Sequence, residues 1–326
     1  MGANAVRVMV CTMVCTVAAV AGLARAGDAE SPGARRVLAA DYSTKRLAIV
    51  DDKSEVLWEY PVGDIHDLHM LPDGHVLFQT SMTHLLEVEP KTNKTVWEYD
   101  AGTMNGNAGR PVQVHAFQRL PGGLTMIAES GPARILEVDR GGNIVRQIKL
   151  KVDHPDPHRD TRLARKLENG HYLVCHEGDG TVREYDGGGK VVWEFPVPLF
   201  GRKPAGGHGP EAFGNACFAA VRLPNGHTLI TTGNGHGVIE VTPDKKIVWE
   251  LHQDDLPGIK LAWVTTLQVL LSGNIILGNC HAGKDNPQIV EIARDKKVAW
   301  SFRDMEHFGD ATSNSQVLDV PGPVIR

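Results

Sequence analysis

The chain is poor in cysteine: five residues among 326, and no two of them in a C-x-x-C spacing. Cys11 and Cys15 fall in an apolar N-terminal stretch. That leaves Cys175, Cys217 and Cys280, too few and too scattered for a zinc knuckle or a disulfide framework. Charge of one sign is also lacking. The net charge is -5, and no Lys/Arg run marks a nucleic-acid surface. Long apolar runs are absent beyond residue 23, so no membrane span is expected in the mature chain. There is no P-loop, no G-x-S-x-G elbow and no dinucleotide fingerprint in a suitable setting, because Gly233-Asn234-Gly235-His236-Gly237 lies between strand-like runs rather than opening a helix.

What is present begins with an export signal. Arg7 precedes an apolar stretch of small and branched residues, 8–23, and Ala24-Arg25-Ala26 supplies the small side chains a signal peptidase requires. The stretch is short and poor in large apolar residues for an anchor, and Thr12-Met13-Val14 lacks the small residue that precedes a lipidated cysteine. The expected organisation is therefore a signal peptide over 1–26, a linker over 27–36, one domain over 37–320 and a tail over 321–326. The expected location is secreted or periplasmic.

The domain is a repeat. A hairpin phrase recurs as Leu71-Pro72-Asp73-Gly74-His75, Leu120-Pro121-Gly122-Gly123, Leu167-Glu168-Asn169-Gly170-His171, Leu223-Pro224-Asn225-Gly226-His227 and Leu271-Ser272-Gly273-Asn274. An apolar run follows each, then a strand with acidic flanks such as Leu136-Glu137-Val138-Asp139. A closing phrase ends in tryptophan: Trp58, Trp97, Trp193, Trp249 and Trp300. One unit departs, with Ile144-Val145-Arg146 and no tryptophan. The unit reads as four strands, A to D, recurring at the spacing of propeller blades. The first unit lacks its strand A, and Gln316-Val317-Leu318 echoes Gln268-Val269-Leu270 without strands to follow it. The expected fold is all-β, a six-bladed β-propeller of four-stranded blades, closed by the C-terminal strand completing the first blade. The recurring tryptophans are expected to pack between blades, and His75, His171 and His227, which repeat after the turn glycine, to be structural.

Function is expected on the face that carries the long interblade loops, 101–111, 151–160, 197–214, 253–262 and 304–312. In the register of the repeat, the starts of the six inner strands are His66, His115, Arg162, Phe218, Thr265 and Ser313. His66, His115 and Arg162 are the candidate catalytic residues, because neutral imidazoles and a guanidinium can bind an anion and supply a base or nucleophile. A water-filled channel would call for the same polar residues. His158, Asn215, His176, His281, Asn314, Arg110 and Arg202 are candidate ligand contacts. Asp156, His158 and Asp160 have metal-ligand chemistry, but their prolines and loop position favour a solvated loop, so no metal and no cofactor is expected.

The phrase Leu223-Pro224-Asn225-Gly226-His227-Thr228-Leu229-Ile230, with Gly233-Asn234-Gly235 and Val238-Ile239-Glu240-Val241 running on to Trp249-Glu250, resembles the repeat of bacterial arylsulfotransferase-like propellers and, more broadly, the pyrroloquinoline-quinone-type repeats. The resemblance implies metal-free sulfate transfer between phenols through a channel histidine, with His66, His115 and Arg162 at positions of that kind. Six units and scattered thiols depart from the quinone dehydrogenases. The expected ligand is small and anionic or aromatic. A non-catalytic propeller that binds a protein or glycan is the alternative, and a cation-dependent lyase- or lactonase-like propeller the third reading.

Overall fold

Each hairpin phrase folds as its residues dictate. In the first, the Leu71 amide donates to the His75 carbonyl (2.8 Å) and the Gly74 amide to the Leu71 carbonyl (2.9 Å), a closure that needs Gly74 at φ +86°. The same pair of bonds closes the turns at Leu167 and Leu223. The computed structural model describes residues 1–2 and 34–326. The expected signal peptide and most of the linker therefore lie outside the described residues.

The strands run in blade order. β1 (Val37–Asp41), β2 (Arg46–Val50) and β3 (Val56–Pro61) come first, followed by β4 (Leu68–Met70), β5 (Val76–Gln79), β6 (His84–Glu89) and β7 (Lys94–Asp100). The third blade is β8 (Gln113–Arg119), β9 (Thr125–Ser130), β10 (Arg134–Val138) and β11 (Ile144–Lys149). The fourth is β12 (Ala164–Lys166), β13 (Tyr172–His176), β14 (Thr181–Tyr185) and β15 (Val191–Pro196), and the fifth β16 (Ala220–Arg222), β17 (Thr228–Thr231), β18 (Val238–Val241) and β19 (Ile247–Leu251). The sixth is β20 (Trp263–Val269), β21 (Ile275–Cys280), β22 (Ile289–Ile292) and β23 (Val298–Phe302), after which β24 (Thr312–Val317) returns to pair with β1. Six four-stranded antiparallel sheets result: the chain is a six-bladed β-propeller whose last strand is the inner strand of the first blade. Among the described residues no helix is long and apolar enough to cross a membrane.

Strands B and C are buried on both faces, as in Val76–Gln79 and Val238–Val241, whereas strand D alternates at the rim. The recurring tryptophans join blades. Trp193 Nε1 donates to the Pro243 carbonyl (3.0 Å) and Trp249 Nε1 to the Arg294 carbonyl (2.9 Å), each in the next blade. Guanidinium groups of the next blade lie over the rings: Arg119 over Trp97 (4.7 Å) and Arg294 over Trp249 (4.6 Å). At five of the six blade boundaries a buried strand-C glutamate meets a cation of the following blade: Glu87 with Arg119, Glu137 with Lys166, Glu184 with Arg222, Glu240 with Arg294 and Glu291 with Arg35.

The segment after β24, expected as a plain tail, returns to the ring. Ile325 bridges Val269 through two backbone bonds (2.9 and 3.0 Å), and Arg326 enters the channel, where it meets His69 Nδ1 (3.0 Å), Gln316 Oε1 (3.1 Å) and Asn314 Oδ1 (3.1 Å). Burial pulls the Arg326 guanidinium down to about 9, Arg165 adding to that and Asp67 opposing it.

Candidate functional site

A cavity of about 450 Å³ opens where the inner strands begin, on the side of the long interblade loops. Of the six register positions, His66, Arg162, Phe218, Thr265 and Ser313 line it, and His115 stacks behind His66. Three inner strands carry bulges here. In β8 the pairing skips from Val114 to Ala116, leaving His115 as the extra residue. In β24 it skips Ser313, and in β20 it runs from Val264 to Leu267 past Thr265 and Thr266. A bulge re-aims a side chain out of the alternation of the strand, and these three turn polar groups toward the axis. Facing the third bulge is Gly278, where a Cβ would stand 2.2 Å from Thr265 Oγ1.

One wall is a network of imidazoles around a guanidinium. The His66 and His115 rings are stacked, with centroids 4.7 Å apart and planes 20° from parallel, and His158 meets His115 edge-on at 5.4 Å. Arg162 Nε pairs with Glu177 at 2.5 Å, while Nη1 donates to His115 Nδ1 (2.5 Å) and to the carbonyls of His158 and Thr161. An Arg can only donate, so His115 Nδ1 is the acceptor and its Nε2–H donates to Gln113 Oε1 (2.9 Å). Gln113 Oε1 also accepts from His158 Nδ1 (2.9 Å), which leaves His158 Nε2 with its lone pair. Burial first, then Arg162, holds His66 and His115 well below the ordinary imidazole value, and the same causes lower His158. The wall is thus neutral imidazole beside Arg162, with Arg159 also lining the cavity and paired with the same Glu177 (2.9 Å). No hydrogen bond from the described residues reaches the His66 ring, whose Nδ1 is covered, and none engages Arg162 Nη2.

The backbone of His66 is fixed by Gln79, a fully buried side chain. Its Oε1 accepts from the His66 and Asp67 amides (3.0 and 3.2 Å), and its Nε2 donates to the Val114 carbonyl (2.5 Å) at the edge of the β8 bulge. Below, Asp67 takes both arms of Arg165 (2.8 and 3.0 Å). Burial would raise its carboxyl, but Arg165 and His69 hold it well below the usual range.

The opposite wall is aromatic. His208, from the loop between the fourth and fifth blades, stacks on Trp263 (5.2 Å, 27°) and lies 5.3 Å from the His281 ring. His281 Nε2 and Tyr42 Oη are 2.5 Å apart. Between the walls, Thr265 Oγ1 is buried and has no hydrogen-bond partner among the described residues.

Of the candidate ligand contacts, His158 and His281 line this cavity. Asn314 lies in the channel beneath, donating to the His66 carbonyl (2.7 Å) and accepting from Arg326. His176 is buried between the Asp160 carbonyl (2.7 Å) and the Tyr185 hydroxyl (2.8 Å), so both ring nitrogens are committed within the blade. Asn215 is tucked against Gly180, Arg202 lies over Phe213 in a separate cleft with Phe200 and His252, and Arg110 is exposed in its loop. Asp156 and Asp160 accept backbone amides of their own and adjoining loops: His158 N on Asp156, and Asp156 N and Gly131 N on Asp160. Among the described residues the grouping with metal-ligand geometry is Asp73, His75 and Glu87, on the opposite face, where Glu87 already carries Arg119 and Arg140. Trp263, Tyr42 and Glu177 were not anticipated. Trp263 had a signal, being the single tryptophan outside the repeat phrase; Tyr42 had none.

No protein-family description matches the chain, and no curated protein matches it in sequence. Solved structures share its fold. They include a protein of unknown function from Bacteroides caccae (23% identity over 88% of this chain and 99% of that one, TM-score 0.70). A streptogramin B lyase (13% identity, 82% and 79%, TM-score 0.55) and a virginiamycin B lyase from Staphylococcus aureus (12% identity, 81% and 78%, TM-score 0.53) are also similar. At such identities the likeness is one of architecture: this chain has a β-propeller fold shared with lyases and with a protein of unknown function.

Proposed function

We propose that the chain is an exported enzyme that transfers a sulfuryl group between phenols, with His66 as nucleophile and Arg162 as the partner of the transferred oxyanion. One observation carries the reading: a neutral imidazole with no hydrogen bond from the described residues faces a cavity, beside a guanidinium whose Nη2 has no partner among them. An imidazole that must attack needs its lone pair uncommitted and unprotonated, and burial next to Arg162 favours that state. With Nδ1 covered, Nε2 is the nitrogen left to react. Phe218 and Trp263 offer apolar faces to an aryl ring.

The chemistry balances without a metal. The His66 Nε2 lone pair attacks sulfur, the S–O bond to the aryl group breaks, and the aryl oxide departs with that electron pair. Arg162 Nη2 donates to the oxygens of the transferring group, where negative charge is held through the transition state. A second phenol then attacks sulfur, and the S–N pair returns to His66. The test is release of 4-nitrophenol from 4-nitrophenyl sulfate with a phenol as acceptor. Purified protein is expected to give a burst equal to the enzyme, then turnover that depends on acceptor. Absence of any release would remove the transfer reading.

A second reading has a specific support in the fold shared with streptogramin B and virginiamycin B lyases, one of them solved as a catalytically inactive histidine-to-alanine variant with quinupristin. There a channel histidine would act as base in an elimination. Formation of an unsaturated product with no acceptor requirement would favour that reaction over transfer.

A further inference from the structure

The two walls of the cavity differ in the charge around their histidines. On the His66 side the wall carries Arg162 and Arg159, both paired with Glu177, and Asp67, itself committed to Arg165. On the other side, burial first and then His208 hold the His281 imidazole below its ordinary value, with Asp310, Asp41 and Glu211 opposing them. Three carboxylates thus favour a proton on His281, whereas at His66 only Asp67 does and Arg162 opposes it.

The backbone is arranged to hold that second imidazole. His281 follows β21 at φ +60°, the left-handed region that a non-glycine residue occupies at a cost, and its amide donates to the Asp310 carbonyl (2.7 Å) across the 304–312 loop. This conformation brings the ring to Tyr42, which stands in the turn after β1 in another blade. Nε2 meets the tyrosine hydroxyl at 2.5 Å, and Nδ1 has no partner among the described residues. Burial, followed by the surrounding Cys280, Asp41, Asp64 and Asp310, raises the Tyr42 hydroxyl, so it stays a phenol at neutral pH. Two further features mark this end as a place for a flat ring with an oxygen. The Trp263 face already carries the exposed, glycine-flanked His208 ring at stacking geometry, so it accepts a planar group. Thr265 Oγ1, buried at the cavity wall, has no hydrogen-bond partner among the described residues.

We infer that this end of the cavity, formed by Tyr42, His208, Trp263 and His281, is the subsite of the acceptor phenol, and that His281 takes the acceptor's proton. The inference rests on the transfer reading above and divides that reaction between two histidines. In the tautomer this role requires, His281 Nε2–H donates to Tyr42 Oη and the Nδ1 lone pair is left for the acceptor. The acceptor O–H bond breaks as its proton moves to Nδ1, the resulting phenolate attacks sulfur, and the S–N bond to His66 breaks with its pair returning to the imidazole. The imidazolium formed at His281 gives the proton to the next departing aryl oxide. The sum is an aryl sulfate and a phenol exchanging one sulfuryl group.

The experiment uses 4-nitrophenol alone, whose absorbance reports its ionisation, at a pH below that at which it ionises in water. The full chain is expected to bind it with the absorbance of the phenolate, and the His227→Asn protein, altered on the far face, to do the same. In His281→Asn, a residue that tolerates the left-handed backbone, that absorbance is expected to fall at least tenfold. In Tyr42→Phe, which keeps the ring and its packing, it is expected to fall several-fold. Binding without ionisation, no binding, or an unchanged signal in both variants overturns the subsite. Because no sulfate is present, a protein that ionises bound 4-nitrophenol yet never cleaves 4-nitrophenyl sulfate would retain the subsite and lose the transfer reading.

Discussion

Histidines stand at both ends of the ring, and they are held in opposite ways. On the tight-turn side His75, His171 and His227 each meet the strand-C glutamate of their own blade at 3.0, 2.7 and 2.6 Å, and that glutamate also holds a cation of the next blade. On the loop side His66 and His115 stack on one another beside Arg162, and among the described residues no carboxylate is paired with either ring. The first arrangement recurs because five of the six blade boundaries pose the same problem: a buried carboxylate must be matched. The second does not repeat, and nothing about stacking blades requires it. In a molecule built from copies, the chemistry that departs from the copy is where activity belongs.

The largest effect expected from this contrast is on turnover. His66→Asn is expected to lower the rate of aryl-sulfate cleavage on the order of a thousandfold or more, with the denaturation midpoint little changed. His227→Asn, one turn of the same repeat away from the axis, is expected to leave the rate per folded molecule within about twofold and to lower stability by about 1 kcal/mol. Equal losses of rate in the two variants would erase the distinction between the faces.

The next effect is on stability against pH, and it belongs to the histidines buried as neutral groups. His176, fully buried, is pushed down to about 4 by burial and then by Arg183, and His69 is likewise lowered to about 4. In the unfolded chain both take up protons near the ordinary imidazole value, before the folded protein does. The unfolded state therefore binds more protons between about 6.5 and 4, and stability falls with pH through that window. Each such group accounts for a loss on the order of 3 kcal/mol, complete by its folded value. Chemical denaturation between pH 7 and 4 checks this; a midpoint flat above pH 5 would mean these imidazoles are not held neutral.

The blades, their number and the closing strand were legible because they are written in local chemistry. Turn glycines, strand alternation and a recurring tryptophan are properties of neighbouring residues, and the missing first strand was visible as an unmatched Gln316-Val317-Leu318. The positions lining the cavity followed from the same register, since the start of each inner strand occupies one height in every blade. What the register does not contain is the bulge. His115, Ser313 and Thr265 point where they do because a residue is left unpaired, and a bulge has no local signature here. Tyr42 and His281 were harder still: they meet across a blade boundary through a residue in a left-handed conformation, 239 positions apart. His176 failed in the other direction. Its position at the end of β13 suggested the open face, but Tyr185 and the Asp160 carbonyl claim it.

The smallest expected effect tests the repeating side alone. Glu184 accepts from His171 Nδ1 (2.7 Å) and Arg222 Nη2 (2.6 Å), joining the fourth blade to the fifth. Removing one partner of a buried ion pair leaves the other charge uncompensated and costs several kcal/mol where burial is complete. Here the Arg222 and His171 side chains keep 24% and 30% of their exposure, so water recovers part of that loss. Glu184→Ala is accordingly expected to destabilise the fold by about 2 kcal/mol, and Glu184→Gln, whose single oxygen replaces one of the two acceptors, by about half as much. Neither is expected to alter the rate of the folded enzyme, because the pair lies at the tight-turn end of the blade while the cavity opens at the other. A change in rate with unchanged stability would show that the two faces of the ring are coupled, and would break the separation of roles drawn from their histidines.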